Sequence, residues 1–588
     1  MVKFKVKILS LTILFLSLVI FPLSFAQNTD DLELVLDVNS NTVVLPKIFN
    51  PNLDLSGRGF SQDKDWPQEL AGKEVLETWQ KDIGFKGLYR IQYDLWEIDQ
   101  LNKDQEAKQK LLANYEKVIK DINDAGGTVI LDIFGTPAGL GKVLDKKSAP
   151  INLKVFKELV KETMRDLSCN KKYRIWYEAW SAPDLDDFFL GRKQEYLNLY
   201  RAIAESAREL KEEYKVDIPV GGPSTSWWFH NPDTNTALSP EKSLIYELIK
   251  FCRQAHLPLD FITWHAYSSD PKVEKESTIY NKAMVSLIRD WLIYFNFNKN
   301  TLLIIDEWNY DRDANVLLER GEKSFVAASY IPARLKNMYE AGIDNQVYFA
   351  LEDFQNNKEG VTRNVGVFYF ERANFQDKAG AKAIFNVFRM LNKLGPDMFL
   401  VKLSDEFVGA IASKSQDEFS ILIYNYLDPD IVKNYFSQDI AGLNEAERRF
   451  LLNLIRSGQL NKIILGQEEI DSLRVTNNTK SLLKKAKELS DKLKQFQASN
   501  RNIKITLQNI KEEYLYSRFS LNSSCGISCE FKPVEEKEVI PAQNSFQESL
   551  TLSPYSVNLI ILKKKPVVVP ALENVVVPKN TEADATKK

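Results

Sequence analysis

Glu307 ends the run Leu302-Leu303-Ile304-Ile305-Asp306-Glu307, and a carboxylate on so apolar a segment is costly to bury unless it has a partner or a reaction to perform. The partner reading is a buried ion pair with Arg90, in the run that begins at Leu88. The reactive reading is a carboxylate nucleophile or proton carrier at the end of a strand. Neighbouring side chains on a strand alternate faces, so Asp306 is expected to point away from Glu307. Six tryptophans stand at or just past the ends of similar runs: Trp96, Trp180, Trp227, Trp228, Trp264 and Trp308. Clustered at one rim they would offer flat apolar platforms for sugar rings, whereas ordinary core packing would scatter them.

Such side chains need a scaffold, and the sequence has a period. Short apolar runs begin at Lys47, Leu88, Thr128, Arg174, Asp217, Asp260, Thr301 and Asn345. Segments with helical spacing lie between them, such as Leu111, Tyr115, Val118, Ile119 and Ile122, or Tyr196, Tyr200, Ile203, Ala207 and Leu210. Strand and helix repeated eight times predict an α/β chain folded as a (β/α)₈ TIM barrel over 47–395, because each parallel strand needs a crossover helix. A bladed propeller has a similar period, but amphipathic helices of this length exclude it. Beyond the barrel, alternating runs at 396–427 and 500–565 predict an antiparallel β-sandwich, joined by an N-terminal strand from 27–46. The Leu-, Lys- and Glu-rich segment 428–499 is expected to be a helical insertion, either packing one face on the sandwich or binding a partner. Residues 566–588 are expected to form a flexible tail.

The 77 basic and 80 acidic side chains nearly cancel, which leaves no basic field for a nucleic-acid backbone. Three histidines (His230, His256, His265) and four cysteines cannot be assembled into a metal site at the usual ligand spacing, and no cofactor is expected. At the N-terminus, Lys3, Lys5 and Lys7 precede the apolar run Ile8 to Phe21 and then Ser24-Phe25-Ala26. That order predicts a signal peptide over 1–26 and a secreted, periplasmic or cell-envelope protein, with no membrane span after cleavage; the apolar stretch is almost long enough to span a bilayer, so an uncleaved anchor is the alternative. In an oxidising compartment Cys525 and Cys529 could close a small loop, and Cys169 and Cys252 could pair or stay buried as free thiols.

Five stretches carry a family resemblance: Gly135-Thr136-Pro137, Tyr177-Glu178-Ala179-Trp180, Gly221-Gly222-Pro223, Asp260-Phe261-Ile262-Thr263-Trp264-His265-Ala266-Tyr267 and Glu307-Trp308-Asn309. In this order, on these strands, the chain resembles glycoside hydrolase family 39, retaining (β/α)₈ glycosidases that include β-xylosidases and α-L-iduronidases. The resemblance implies a carbohydrate substrate and Glu307 as nucleophile; together with the rim reading, the candidate substrate-binding residues are Arg90, Trp180, Ser181, Trp227, Trp264, His265, Tyr267 and Trp308.

One departure falls on the chemistry. Where the family ends its fourth strand Trp-Asn-Glu-Pro, with Glu as acid/base, this chain reads Trp180-Ser181-Ala182-Pro183. Retaining hydrolysis needs a second carboxyl group about 5–5.5 Å from the nucleophile, and Ala182 cannot supply it. Glu178 is expected to lie too deep in the barrel, and Asp184, Asp186 or Asp187 would reach the site only if their loop bends inward. Three readings follow: a hydrolase working without the family acid/base, an inactive polysaccharide-binding relative, or an envelope scaffold protein.

Overall fold

The computed structural model describes residues 32–566, apart from 58–64, 234–238, 277, 280–281, 298–299, 311–323, 357–360, 364, 372–377, 441–442 and 527–528. Residues 1–26, expected to be a signal peptide, and nearly all of the tail lie outside the described residues. The expected fold class is present as a closed parallel barrel beside a seven-stranded antiparallel sheet and a three-stranded mixed one.

Barrel strands β1 (Leu53–Asp54), β2 (Leu88–Asp94), β3 (Thr128–Phe134), β4 (Ile175–Ala179), β5 (Val220–Thr225), β6 (Phe261–Tyr267), β7 (Leu302–Asn309) and β8 (Asn345–Tyr348) follow one another around the barrel. Tyr348 of β8 pairs with Leu53 of β1 to close it. The crossover helices bury the stripe read from their spacing: Leu111, Tyr115, Val118, Ile119 and Ile122 are the buried residues of Gln105–Asp124. Their starts are capped in sequence, with Asp104 accepting from the Ala107 N–H, Asn152 from Val155 and Ser243 from Tyr246. The first strand is shorter than its apolar run, because Lys47–Phe49 forms a 3₁₀ turn and Pro51 has no N–H to give a ladder.

Inside the barrel the side chains form layers. At the floor, Leu88, Ile130, Phe261, Ile304 and Val347 pack with Trp176 and Leu302 in an apolar plug. Two residues further along the same strands the layer changes to Arg90, Asp132 and Glu178, all buried.

The N-terminal residues supply two strands rather than one. Leu32–Asp37 runs parallel to Arg501–Gln508 in a three-stranded sheet, while Thr42–Val44 pairs with Asp397–Phe399 at the edge of a seven-stranded sheet. The break is a turn in which Asp37 accepts from the backbone N–H groups of Asn39 and Ser40. In the centre of the large sheet, strands Glu418–Asn425 and Ser556–Lys564 bury both faces. Ile421, Ile423, Ile560 and Leu562 meet the small sheet, and Leu422, Tyr424, Leu559 and Ile561 join the barrel's core. Between the sandwich strands, helices Ile431–Asp439, Glu445–Arg456, Gln459–Ile464 and Asn477–Ala498 enclose a small core of their own built on Leu451, Leu454, Ile463, Leu482 and Leu483. Cys525 and Cys529 form a disulfide; Cys169 and Cys252 are free and buried. No described helix is long and apolar enough to cross a membrane.

Candidate active site

The charged layer is organised by one guanidinium. Arg90 Nη1 donates to Asp54 Oδ2 at 3.0 Å and to Glu307 Oε1 at 2.9 Å, Nε to Glu178 Oε2 at 2.7 Å, and Nη2 to Asp132 Oδ2 at 3.3 Å. Asp306 Oδ2 lies 4.0 Å from Nε. Five carboxyl groups from β1, β3, β4 and β7 thus surround a single cation, and they cannot all stay ionised away from water. Burial pushes Asp132 and Asp306 well above the ordinary carboxylate range, with Glu178 adding to the rise at Asp306 even against Arg90. Burial also raises Asp54, although Arg90 opposes it. For Arg90, burial works against the charge, but Glu178, Asp132, Glu307 and Asp54 outweigh it and the guanidinium is held firmly protonated. Asp54, Asp132, Glu178 and Asp306 are wholly buried; Glu307, at 9 % exposed, is the one that reaches the mouth.

Asp306 does not point away from Glu307. Along the β6–β7 ladder Ile305 faces Trp264 and Glu307 faces His265, so Asp306 is the extra residue of a bulge. A bulge cancels strict alternation, and both carboxyls turn inward. The β5–β6 ladder has the matching irregularity, Pro223 opposite Thr263 and Thr225 opposite Trp264, which leaves Ser224 as the extra residue. Ser224 and Asp306 therefore approach each other across β6 and hydrogen-bond side chain to side chain. Ser224 Oγ is 3.1 Å from His265 Nε2, His265 Nδ1 is 3.3 Å from Glu307 Oε2, and the Tyr267 hydroxyl donates to the same Oε2 at 2.8 Å.

Several binding residues expected at the rim are elsewhere. Arg90 is buried with its nitrogens on carboxylates; it serves Glu307 as the ion-pair partner rather than facing a ligand. Trp264 and Trp308 are wholly buried, because each is the strand neighbour of an inward-facing site residue, His265 and Glu307, and so points outward under the helices. Trp308 packs there on Tyr330 and Tyr348 and donates to Gln346 Oε1 at 2.6 Å. Trp180 is also buried, against Phe134 and Phe189, with its indole N–H on the Phe188 carbonyl, and Trp228 is buried too. The platform reading survives only for Trp227 and Trp96, which are half-buried.

At the end of β4 the chain makes a tight, left-handed turn, with φ of 72° at Trp180 and 45° at Ala182, and the Ala182 N–H donates to the Ser224 carbonyl at 2.9 Å. Ser181 and Ala182 are both buried. Asp184 does bend inward, but it is spent on the next loop: its carboxylate accepts from the Ser226 N–H and hydroxyl and lies 3.3 Å from His230 Nδ1. Asp186 and Asp187 are exposed. Glu178 is not as remote as expected, since it shares Arg90 with Glu307, yet it is enclosed beneath the mouth. Asp54, Asp132 and Ser224 were not singled out in the sequence. Asp132 in Thr128-Val129-Ile130-Leu131-Asp132-Ile133-Phe134 carries the signal that singled out Glu307, a carboxylate on an apolar strand. Among the described residues no group of His, Cys, Asp and Glu is arranged to hold a metal ion.

Comparison with known proteins gives this geometry a family. A β-xylosidase from Caldicellulosiruptor saccharolyticus is 23 % identical over 35 % of this chain, and one from Geobacillus stearothermophilus is 27 % identical over 19 %. The matches span 40 % and 19 % of those relatives' own lengths. Among solved structures, a glucosidase from Croceicoccus marinus superposes with a TM-score of 0.60 at 13 % identity, covering 91 % of this chain and 99 % of that one. The GH39 enzyme from Xanthomonas axonopodis pv. citri gives 0.58 at 14 %, over 91 % and 97 %; at such identities the likeness shows the fold alone. The model of the glycosyl hydrolases family 39 matches residues 135–468, more than half of the sequence and including β4 to β7, and the chain belongs to that family.

Proposed function

We propose that the protein is an exported, retaining-type glycoside hydrolase in which Glu307 attacks the anomeric carbon of glycosides whose leaving group departs without protonation. The observation that carries this reading is the setting of Glu307: of the five carboxyls around Arg90 it alone reaches the barrel mouth, held by Arg90 on one oxygen and Tyr267 on the other. In the first step the Glu307 oxygen bonds to the anomeric carbon as the bond to the leaving oxygen breaks. Water then cleaves the glycosyl ester and releases its proton to solvent. With Ala182 at the acid/base position, proton transfer contributes little to either step, a loss of about 10²–10⁴-fold for an ordinary alkyl glycoside and less for an aryl one. The matched curated relatives are β-xylosidases, which makes aryl β-xylosides the first substrates to try. The leader over 1–26 is proposed to be removed on export, leaving Gln27 first in the mature chain.

The test is labelling. A 2-deoxy-2-fluoro glycoside with an activated leaving group is expected to add one sugar to Glu307, located by peptide mass spectrometry, and azide is expected to speed aryl-glycoside turnover and yield a glycosyl azide. Glu307→Gln removes both signals. A second reading, polysaccharide binding without turnover, is favoured by the enclosed Ala182; it requires glycan retardation in affinity gels that Trp227→Ala abolishes, together with no labelling of Glu307.

A further inference from the structure

The two bulges on either side of β6 build a hydrogen-bonded chain that family membership does not explain. Ser224 and Asp306 are the extra residues of β5 and β7, both wholly buried, and together they reach His265 from the side opposite Glu307. The order of contacts is Asp306 Oδ2, Ser224 Oγ, His265 Nε2, then His265 Nδ1 and Glu307 Oε2. Asp306 is faced by Arg90 from β2, Glu178 from β4, Ser224 from β5, His265 from β6 and Glu307 from its own strand.

We infer that Asp306 is a positioning residue for the nucleophile, acting through Ser224 to fix the tautomer of His265 so that Nδ1–H points at Glu307. The inference rests on the reading of Glu307 as nucleophile. The reasoning is a count of protons. A neutral imidazole carries one N–H. For Nδ1 to donate to Glu307, Nε2 must accept, so the single Ser224 proton must go to His265. With His265 neutral, Ser224 Oγ then offers only lone pairs to Asp306 and to Arg90 Nη2, 3.5 Å away, so Asp306 is the donor and is itself neutral. Enclosure among carboxyls that outnumber their guanidinium favours that neutral form. If Asp306 were ionised the chain would reverse: Ser224 would donate to Asp306, His265 Nε2–H to Ser224, and the Nδ1 lone pair would face the Glu307 carboxylate. Glu307 would then face a lone pair in place of a hydrogen-bond donor. A buried carboxyl that never touches the sugar thereby decides how the one at the mouth is held for reaction. Ser224 also accepts the Ala182 N–H through its carbonyl, so the same residue anchors the turn at the vacant acid/base position.

The chain contains only three histidines, which makes the tautomer directly observable. Histidine-selective ¹⁵N NMR of the full chain, with the His265 signals identified by their loss in His265→Asn, is expected to show Nδ1–H in the wild type and in Asp306→Asn, whose amide can still donate to Ser224. Ser224→Ala, which removes the donor to Nε2, and Asp306→Ala, which leaves Ser224 Oγ free to accept from Nε2–H, should each admit the Nε2–H form alongside it. With aryl glycosides, both variants are expected to lose on the order of 10²-fold in kcat with a much smaller change in KM, and to move the acid limb of the pH profile upward. Asp306→Asn should recover about tenfold of the loss of Asp306→Ala. An Nε2–H tautomer in the wild type, Asp306→Asn as impaired as Asp306→Ala, or an unmoved acid limb in Ser224→Ala overturns the inference. Nδ1–H in the wild type without fluorosugar labelling of Glu307 supports the hydrogen-bond order and overturns the nucleophile reading instead.

Discussion

Arg90 ties the candidate site to the stability of this barrel. Its guanidinium bonds four carboxylates and sits beside a fifth, so its removal would leave several buried acids without a cation. Breaking a buried ion pair by deleting one partner costs about 3–5 kcal/mol. Arg90→Met, similar in length and without charge, is expected to destabilise the fold by at least that much in urea unfolding, whereas Glu307→Gln, at the edge of the cluster nearest the barrel mouth, should cost far less. Equal losses would show that the cluster is not organised by Arg90. The tryptophans teach a related lesson: Trp264 and Trp308 beside the site residues are core side chains, and adjacency along a strand is the reason.

At the scale of elements, the helical insertion is tied to the loops that leave the site strands. Tyr310, just past β7, donates to Asp430, and Asn434 donates to Ser269, just past β6, and to Asp428. Asp428 is pushed up to about 7, by burial first, against hydrogen bonds from the Asp430 N–H, Ser269 and Asn434. A carboxyl raised in the folded state binds a proton that the unfolded chain has already released, so its contribution to stability is complete below about pH 4 and is lost as pH rises through 7. Asp428→Asn is expected to flatten this fall, reducing the slope of unfolding free energy against pH between 5 and 7 by up to about 1.4 kcal/mol per pH unit. Denaturant titrations at several pH values check it; an unchanged slope would mean that Asp428 titrates normally. The bulges in β5 and β7 belong to this scale too, since each adds one inward-facing side chain that an ideal strand would have turned away.

For the whole molecule, the barrel and sandwich share one apolar core. The seven-stranded sheet gives Leu422, Tyr424, Leu559 and Ile561 to the barrel's core, and helix Ser324–Ala341 packs on strands Val408–Lys414, Glu418–Asn425 and Ser556–Lys564. A chain ended at residue 395 would expose that apolar seam, a patch of the kind that drives aggregation. Such a truncation is expected to be insoluble or aggregated in size-exclusion chromatography, while the full chain elutes as a defined species. A monomeric, cooperatively folding truncation would show that the barrel needs no sandwich.

The sequence by itself determined the strand and helix period of the barrel, the alternating runs of the sandwich and the helical segment between them, and it drew attention to Glu307 as a carboxylate on an apolar strand. Each of these is local: a helix stripe or a strand alternation is written in neighbouring residues. Tertiary structure alone decided which carboxyls share Arg90, that Asp306 turns inward, that Ser224 belongs to the site, and that Trp180, Trp264 and Trp308 do not line it. Those outcomes depend on register between strands some 40 residues apart, where a single bulged residue reverses the direction of a side chain. Periodicity in one strand cannot announce a bulge, because the extra residue is extra only relative to its partner.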